Sequence, residues 1–297
     1  MKSRKIYKKE YQRIGYDIDD VAAQEYMEIS ATYNDADKMT REERYNSDST
    51  LNTLTINTYN DQNLLISMEQ YDQDHTLLQK SLNKYNDKQI LVQQSNFFGE
   101  DTSEYVTKFT YDDQNNLLSQ AVYFEGKLEN VEKSFEYKNN RLVKETDNND
   151  YGQTQYVTTH EYNDQGWEIK RVRDEIIDKD RRTYEYEYDD RGNRIKELVY
   201  DFKDALIAKT YSVYDDNNRL VETEEEDLDN YRKIKLEYDG NNVSRNTLLD
   251  KKGKITGWAD YAYNEDNKEI LSQEYIIDEI NPEEHRLLRE TRYERLS

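Results

Sequence analysis

Hydrophobic and polar positions alternate along most of this chain, and short polar segments interrupt the alternation at regular intervals. The segment Tyr184–Tyr188, for example, carries tyrosine at every second position with glutamate between. A period of two places the aromatic side chains on one face of a β-strand. A segment of the form Tyr-Asn/Asp-x-x-Gly/Asn follows, and an aliphatic residue such as Ile195 opens the next alternating stretch. The pattern predicts a β-hairpin.

The hairpin pattern is repeated along the chain. The strand-ending residues, called anchor tyrosines below, are Tyr33, Tyr59, Tyr85, Tyr111, Tyr137, Tyr162, Tyr188, Tyr214, Tyr238 and Tyr263, at spacings of 26, 26, 26, 26, 25, 26, 26, 24 and 25. Self-similarity at this period indicates a tandem repeat. A second, less regular turn about 12 residues after each anchor, as at Tyr200-Asp201, divides each unit into two strands.

The turn residues have physical reasons to occupy their positions. The Asn or Asp after each anchor can accept a local backbone hydrogen bond. Gly192 and Asn63 stand four residues after their anchors, where a hairpin with a bulge requires the left-handed backbone conformation. The turn that follows each anchor tyrosine is called a main turn below, and the other is called a second turn.

The predicted fold is all-β, with about ten tandem hairpin repeats and about 20 antiparallel strands forming one long, twisted or spiralling sheet with end caps. At ~4.8 Å per strand, this sheet would extend about 90 Å along its curve, and strand twist should coil it. Residues 1–30 are assigned to an N-terminal cap or degenerate repeat, 31–275 to the array and 276–297 to a C-terminal cap. In the latter, Asn281-Pro282-Glu283-Glu284 fits either a short helix or a turn before a last strand from Leu287 to Tyr293. Caps are expected because terminal strands otherwise expose unpaired edges.

Composition changes this picture in two ways. Only 34% of the residues are hydrophobic and 36% are charged, a balance typical of disordered chains, but 28 tyrosines supply amphipathic aromatic surface. An extended architecture with a thin core reconciles the low hydrophobic content with the large number of tyrosines. The absence of cysteine excludes disulfides and thiolate metal sites. No apolar run follows Met1 as in a secretory signal, and none is long enough to cross a membrane, so we expect a soluble, cytoplasmic protein.

The net charge of -22 bears on the choice of partner. Nucleic acid is not expected, because binding it requires neutralisation of phosphates, and no membrane association is expected either. Long-range attraction favours a basic protein partner. The alternative is that the acidity only keeps a long sheet soluble, and the oligomeric state stays open.

No sequence motif indicates catalytic chemistry. His75, His160 and His285 lie at least 85 residues apart, and no P-loop, dinucleotide or metalloprotease signature occurs. We therefore expect no catalytic activity and no cofactor. The clusters Asp17-Ile18-Asp19-Asp20 and Glu224–Asp227 offer oxygen ligands for calcium, although turn chemistry also explains Asn and Asp at such positions. Four tyrosines outside the main phase are candidates for a contact surface: Tyr151, Tyr156, Tyr211 and Tyr231.

The segment Tyr186-Glu187-Tyr188-Asp189-Asp190-Arg191-Gly192-Asn193-Arg194-Ile195 resembles the YD repeats of bacterial RHS proteins. The resemblance covers roughly residues 30–275, although the period is longer here and several anchors lack the glycine. Large members of that family are secreted or surface shells that enclose a C-terminal toxin domain, and we expect no room for one here, because the repeats run almost to Ser297. Tyr123-Phe124-Glu125-Gly126-Lys127-Leu128 is similar to small MORN-like repeat proteins, some of which are immunity proteins.

These observations predict a non-catalytic protein-binding scaffold. The sharper hypothesis is a cytoplasmic immunity protein or antitoxin that neutralises a basic bacterial toxin. The alternatives are a cell-surface or secreted structural, carbohydrate-binding YD-repeat protein, and an adaptor or chaperone for a secreted protein. For a basic partner, the predicted docking residues form the acidic run that shortens one repeat, and they are Glu222, Glu224, Glu225, Glu226, Asp227 and Asp229. The other interpretation of this run is a solvated loop.

Overall fold

A computed structural model describes residues 2–13, 20–22, 25–99, 104–277 and 285–296. Every regular secondary-structure element in these ranges is a β-strand. The first strands are β1 (Lys2–Arg13), β2 (Asp20–Ala22), β3 (Tyr26–Tyr33), β4 (Met39–Tyr45), β5 (Leu51–Tyr59), β6 (Leu65–Tyr71), β7 (Leu77–Tyr85), β8 (Leu91–Phe98), β9 (Tyr105–Tyr111), β10 (Leu117–Phe124), β11 (Lys127–Lys138) and β12 (Arg141–Asn148). The others are β13 (Thr154–Tyr162), β14 (Glu168–Glu175), β15 (Asp180–Tyr188), β16 (Arg194–Tyr200), β17 (Leu206–Tyr214), β18 (Leu220–Asp227), β19 (Tyr231–Asp239), β20 (Asn242–Leu249), β21 (Ile255–Tyr263), β22 (Glu269–Ile277) and β23 (His285–Leu296). The all-β prediction is confirmed.

Main turns such as those after Tyr59 and Tyr188 have the predicted backbone. Gly192 and Asn63 have φ values of 85° and 58°, and each donates its N–H to the carbonyl of the residue three positions earlier. This is a type I turn followed by a left-handed residue, and the strand ladder shifts by one residue beside it. The turns after Tyr137 and Tyr238 are shorter, with two residues each between the paired strands.

Some second turns use the geometry of the longer main turns, with left-handed Ser49 at 66° and Asp204 at 59°. Others are shorter, since Phe124 pairs with Lys127 and Glu175 pairs with Asp180. This variation in length and in the left-handed residue makes the second turns irregular in the sequence.

The chain divides into two units, and the second comprises Asn57–Gln70 and Thr76–Tyr211. Within it, strands β7 to β16 each pair antiparallel with the next strand in the chain. Main turns therefore lie along one edge of this unit and second turns along the opposite edge.

The first unit comprises the described residues within Met1–Ile56, Tyr71–His75 and Ser212–Ser297. The prediction of an open sheet with two capped ends is wrong here. Strand β1 pairs with β3 on one side and with β23 on the other, from Ser3↔Leu296 to Glu10↔Arg289. The first and the last strand, β1 and β23, therefore pair with each other and close the ladder. Pairing satisfies the backbone groups that a terminal strand would leave exposed, so no cap is needed at these strands.

The two predicted cap regions are mostly strands. Leu287–Tyr293, predicted as a last strand, lies within β23, and the strands β1 and β3 occupy most of the described part of 1–30. The segment Asn281-Pro282-Glu283-Glu284 lies outside the described residues, as do Asp17 and Asp19.

The interior is thin. Among the described residues, no large side chain is fully buried, and the most buried apolar ones include Ala31, Leu54 and Tyr186. Buried polar residues such as Ser81 and Thr158 lie among them. Most side chains are half-buried between neighbours on the same face, so cross-strand pairs provide most of the packing. No helix in the described part of the chain has the length and apolarity needed to span a membrane.

Candidate binding surfaces

Each turn is held by the residue that follows the strand. The side-chain oxygen of Asn60 accepts hydrogen bonds from the backbone N–H groups of Gln62 and Leu64, both at 3.0 Å. Asp189 accepts the equivalent pair at 2.9 Å. The Asn193 side-chain amide also donates to the Asp189 carboxylate, and these bonds hold the pKa of Asp189 below its usual range. The Asn or Asp of the repeat is thus explained by turn stability.

The anchor tyrosines link successive hairpins of the second unit. The hydroxyl of Tyr111 donates to the carbonyl of Leu91 at 2.7 Å, and that of Tyr162 donates to the carbonyl of Leu142 at 2.8 Å. Burial raises the pKa of both phenols. The acceptor lies at the start of the strand after the preceding main turn, as the first residue of β8 or the second residue of β12. This bond explains why the position is tyrosine and not phenylalanine.

One edge of the second unit presents a row of carboxylates. The residue two positions after the anchor is an exposed aspartate at five main turns, and these five, called the carboxylate row, are Asp61, Asp87, Asp113, Asp164 and Asp190. No hydrogen bond or ion pair joins their carboxylates to other residues in the described part of the chain. Adjacent main turns are two strands apart, which corresponds to about 10 Å. Side chains also join neighbouring turns, as between Lys88 Nζ and Asn115 Oδ1 at 3.2 Å.

The acidic run predicted as a docking site lies mostly in β18. Successive residues of a strand point to opposite faces of the sheet, so the side chains of the run are distributed over both faces. Glu222 and Glu224 share Lys233, at 2.6 and 3.1 Å, and Glu226 pairs with Lys251. The hydrogen bonds from Lys233 to Glu222 and Glu224 raise the pKa of the lysine. These three carboxylates are therefore largely neutralised.

The remaining residues of the run have different surroundings. Asp227 holds a turn, since its carboxylate accepts the N–H groups of Asp229 and Asn230 at 2.8 and 2.7 Å. Glu225 and Asp229 are exposed, and within the described ranges their carboxylates make no ion pair. The structure thus leaves two of the six predicted residues available to a basic partner.

The three histidines are not brought together into one site. His75 occupies a left-handed turn position, and His285 lies 5.0 Å from the Trp258 ring. His160 Nδ1 lies 2.5 Å from Glu168 Oε1, and Arg171 Nη2 lies 2.7 Å from Glu168 Oε2. Burial acts to raise the pKa of Glu168, but the hydrogen bonds from Arg171 and His160 outweigh it and lower the pKa.

This charged cluster is part of the packing of the second unit. Tyr186 is 5% exposed, and burial raises its pKa to about 12. The guanidinium groups of Arg171 and Arg194 lie 5.7 and 4.2 Å from the Tyr186 ring centre. His160 Nε2 is buried without a hydrogen-bond partner among the described residues. In the same ranges, no three His, Asp or Glu side chains are placed to share a metal ion.

A second row of side chains, which the predictions from the sequence did not include, lies on the second-turn edge of the second unit. Phe98, Tyr151, Ile177 and Phe202 are exposed by 52%, 88%, 50% and 56%, and Phe124 is half-buried. We call these five residues the apolar row. Their spacing of 26, 27, 26 and 25 residues matches the period of the repeat and is the signal in the sequence that marks them.

The tyrosines outside the main phase divide into two pairs. Tyr151 belongs to the apolar row, and Tyr211 is 41% exposed. Tyr156 donates its hydroxyl to Glu175 at 3.0 Å, and the Tyr231 ring lies 5.9 Å from Lys251 Nζ. Only the first pair therefore presents an uncommitted aromatic surface.

Each unit contains a concavity among its described residues. In the first unit, a pocket of about 340 Å³ is lined by Ile234, Leu248, Gly257, Trp258 and Tyr261, among others. A side chain at Gly257 would meet the Tyr275 carbonyl at 2.6 Å, so glycine is required there.

In the second unit, a pocket of about 320 Å³ lies between consecutive second turns. It is lined by Ile176, Phe202 and five charged residues, which are Asp174, Glu175, Lys179, Asp180 and Arg181.

Comparison with known proteins gives distant likenesses only. No protein-family model and no curated protein sequence matches the chain. Among solved structures, TcdB2-TccC3-Cdc42 is similar at a TM-score of 0.40 and 11% identity, over 89% of this chain and 18% of that one. TcdB2-TccC3 without its hypervariable C-terminal region gives 0.38 and 12%, over 87% and 18%. A porin-like protein from Bacteroides uniformis gives 0.34 and 12%, over 98% and 97%.

The chain thus spans about 18% of the length of the first two structures. The resemblance to YD repeats rests on the sequence motif Tyr186–Ile195.

Proposed function

We propose that this protein is a non-catalytic binding scaffold whose carboxylate row docks a basic protein. The observation that carries the proposal is the repetition of an exposed, unpaired aspartate at five main turns of one unit. Most other carboxylates discussed above are committed to lysines, arginines or backbone N–H groups. The row therefore concentrates negative charge that the fold itself does not use.

Geometry supports a protein partner over a small ligand. The carboxylates stand on rigid turns about 10 Å apart, too far for one small molecule to contact two of them, but suited to a line of Lys and Arg side chains on another protein. Opposite charge across an interface accelerates association and excludes like-charged partners. An acidic surface of this kind suits a nuclease-like toxin, whose own surface must be basic to bind phosphates.

The specific form of the proposal is a cytoplasmic immunity protein that neutralises a basic bacterial toxin. It is supported by the net charge of -22 and by the likeness of the repeats to those of toxin-associated YD proteins. The adaptor or chaperone role differs in the number of partners, because an immunity protein should hold one toxin in a fixed ratio.

Affinity capture of the tagged protein from its own cells, at low and high salt, tests the proposal. We expect one basic protein in a fixed ratio, released by salt because screening weakens charge pairs at the surface. The variant Asp87→Asn/Asp113→Asn should capture much less of it at low salt. The charge-matched control Glu225→Gln/Asp229→Asn should capture as much as the wild type.

The control also tests the docking site predicted from the sequence. A loss confined to the control would move the interface to the acidic run, and equal losses in both variants would attribute binding to net charge alone. No captured protein at either salt would reject the scaffold proposal.

A second candidate, a carbohydrate-binding surface protein, is favoured by the pocket of the first unit. Trp258 stacks on Tyr275, with ring centres 5.0 Å apart and planes 15° apart, and polar Asn246 and Glu274 line the same pocket. Aromatic rings beside polar groups are typical of small-molecule sites. Binding to a glycan array that is lost in Trp258→Ala would support this function.

A further inference from the structure

The apolar row is a regular surface feature that the proposed function does not use. Its members lie in consecutive second turns of one unit or, for Phe98 and Phe124, at the end of the strand before the turn, and their repeat follows the period of the hairpins. At the start of the row the rings are continuous, since Tyr105 lies 6.1 Å from Phe98 and 4.7 Å from Phe124 between ring centres. Contiguous exposed apolar surface on a folded protein marks an interaction site.

The main turns show that turn structure does not require apolar residues here. Ile177 and Phe202 stand two positions after the end of their strands, where the main turns carry the aspartates of the carboxylate row. Tyr151 stands at the next position, where the main turns carry Gln62, Gln114 and Gln165. The turns of Tyr151 and Phe202 have the five-residue loop of the main turns, so the same backbone carries polar side chains at one edge of the unit and apolar side chains at the other. Ile177 lies in a shorter, four-residue loop.

Charge decides which occupant suits this edge. A second copy of the chain would bring a net charge of -22 against another of -22, and an anionic lipid surface would be repelled likewise. The fully described turns of the row, those after β10, β12, β14 and β16, hold five carboxylates, on Glu125, Asp150, Asp178, Asp201 and Asp204, against two lysines, Lys179 and Lys203. An apolar surface with an acidic margin fits a partner that is apolar on one side and basic beside it.

The spacing indicates the secondary structure of that partner. Consecutive second turns are two strands apart, about 9.6 Å, and seven residues of an α-helix rise about 10.5 Å. A helix laid along the edge would therefore present one apolar residue to each hairpin when its apolar residues recur every seventh position. A concavity beside the row is lined by Ile176 and Phe202 together with the charged residues Asp174, Glu175, Lys179, Asp180 and Arg181.

We propose that the apolar row binds a basic amphipathic α-helix with a heptad spacing of apolar residues. The inference rests on the proposed scaffold function and adds the form of the partner segment. It also assigns the two edges of the second unit different roles, since the carboxylate row attracts the partner by charge and the apolar row buries its helix.

A peptide experiment on the full-length protein tests this. The probe is a fluorescein-labelled peptide of about 28 residues, four heptads, with leucine on one face and lysine elsewhere, matched to the length of the row. A scrambled peptide of the same composition is the reference. We expect the wild type to bind the heptad peptide roughly tenfold or more tightly than the scrambled one, measured by fluorescence anisotropy, because only the heptad peptide buries apolar surface.

The variant Tyr151→Gln/Ile177→Gln/Phe202→Gln should lose that preference without changing the net charge. The matched control Gln62→Ser/Gln114→Ser/Gln165→Ser changes the equivalent edge of main turns and should keep it. Circular dichroism and thermal unfolding verify that both variants are folded; if the triple variant is not, Phe202→Gln alone replaces it.

Three results would overturn the proposal. One is equal affinity for the heptad and scrambled peptides, and another is an unchanged preference in the Gln variant. The third is that the Gln variant abolishes self-association in light scattering or flotation with phosphatidylglycerol vesicles, which would assign the row to a second copy or to lipid.

The two proposals fail separately. If the cell capture depends on the carboxylate row but the peptide preference is absent, only the apolar row is rejected. If no protein is captured while the peptide preference stands, the scaffold function is rejected and the apolar row remains a helix-binding surface.

Discussion

At the scale of single residues, polar atoms on aromatic and amide side chains connect one hairpin to the next. The hydroxyls of Tyr85, Tyr111, Tyr162 and Tyr188 each donate to a carbonyl 20 residues earlier in the chain, at 2.7–2.8 Å. Removing one partner of such a bond leaves a half-buried carbonyl unsatisfied. The periodic tyrosine is therefore a link between repeats as well as a packing residue.

Replacing Tyr111 by phenylalanine tests this link. The ring remains, and only the bond to the Leu91 carbonyl is lost, so we expect the free energy of unfolding to fall by about 1 kcal/mol. Tyr151→Phe is the control, because Tyr151 is 88% exposed and should change nothing. Urea denaturation measures both, and equal stability of the two variants would contradict the role of the hydroxyl.

At the scale of the element, the turn and its two strands form one unit of structure. A side chain at the first turn position, a left-handed residue at the fourth and a ladder shift beside them occur together at main turns such as that of Asp189 and at second turns such as that of Asp201. This motif supports the aspartates of the carboxylate row at one edge and Tyr151 and Phe202 at the other. At these turns, the residues of the two proposed binding surfaces occupy the positions that the backbone does not constrain.

The pH dependence of stability should report the turn carboxylates. Hydrogen bonds from the side chains of Asn116 and Asn193 lower the pKa of Asp112 and of Asp189, respectively, in the folded protein. A lowered folded-state pKa means that the stabilisation is present above the ordinary pKa and is lost as the pH falls through the folded value.

We therefore expect the wild type to lose stability below about pH 4 through these groups. Asp112→Asn/Asp189→Asn keeps side-chain oxygens that can accept the backbone N–H groups, as Asn60 does. The thermal unfolding midpoint of this variant should fall less than that of the wild type between about pH 6 and about pH 3. Parallel curves would show that the turn carboxylates contribute no pH dependence.

At the scale of the molecule, the chain ends decide how the first unit is completed. β1 has neighbours on both sides, although it is the first strand, because β23 returns to it from the other end of the chain. Both ladders are antiparallel and extend over most of the strand. A terminal element of the sequence is therefore an interior element of the sheet.

Proline substitution distinguishes an interior strand from an edge. Lys5→Pro removes an N–H from a strand that faces Ser30 on one side and Glu294 on the other, so we expect strong destabilisation. Asp61→Pro is the control, because proline is favoured at the second position of a type I turn. The two thermal unfolding midpoints make the comparison, and a tolerated Lys5→Pro would show that β1 is an edge.

Much of this architecture was predictable because its determinants are local. The strands follow from alternation within eight or nine residues, and the turns follow from hydrogen bonds between residues at most four positions apart, as at Asp189 and Asn193. The acidic run shows the limit of such reasoning. Alternation along β18 places Glu222, Glu224 and Glu226 on one face, where they pair with Lys233 of the neighbouring strand β19 and with Lys251 of the turn after β20.

The amino-acid sequence by itself determined the all-β class, the period, the positions of the main turns and the left-handed residue in turns such as those of Asn63 and Gly192, since each depends on residues close together in the chain. Only the tertiary structure decided that β1 meets β23, that the carboxylate row is unpaired and that the apolar row is exposed. The reason is physical: strand pairing across the whole chain, and the burial of a side chain by its neighbours, depend on residues that become adjacent only when the sheet forms.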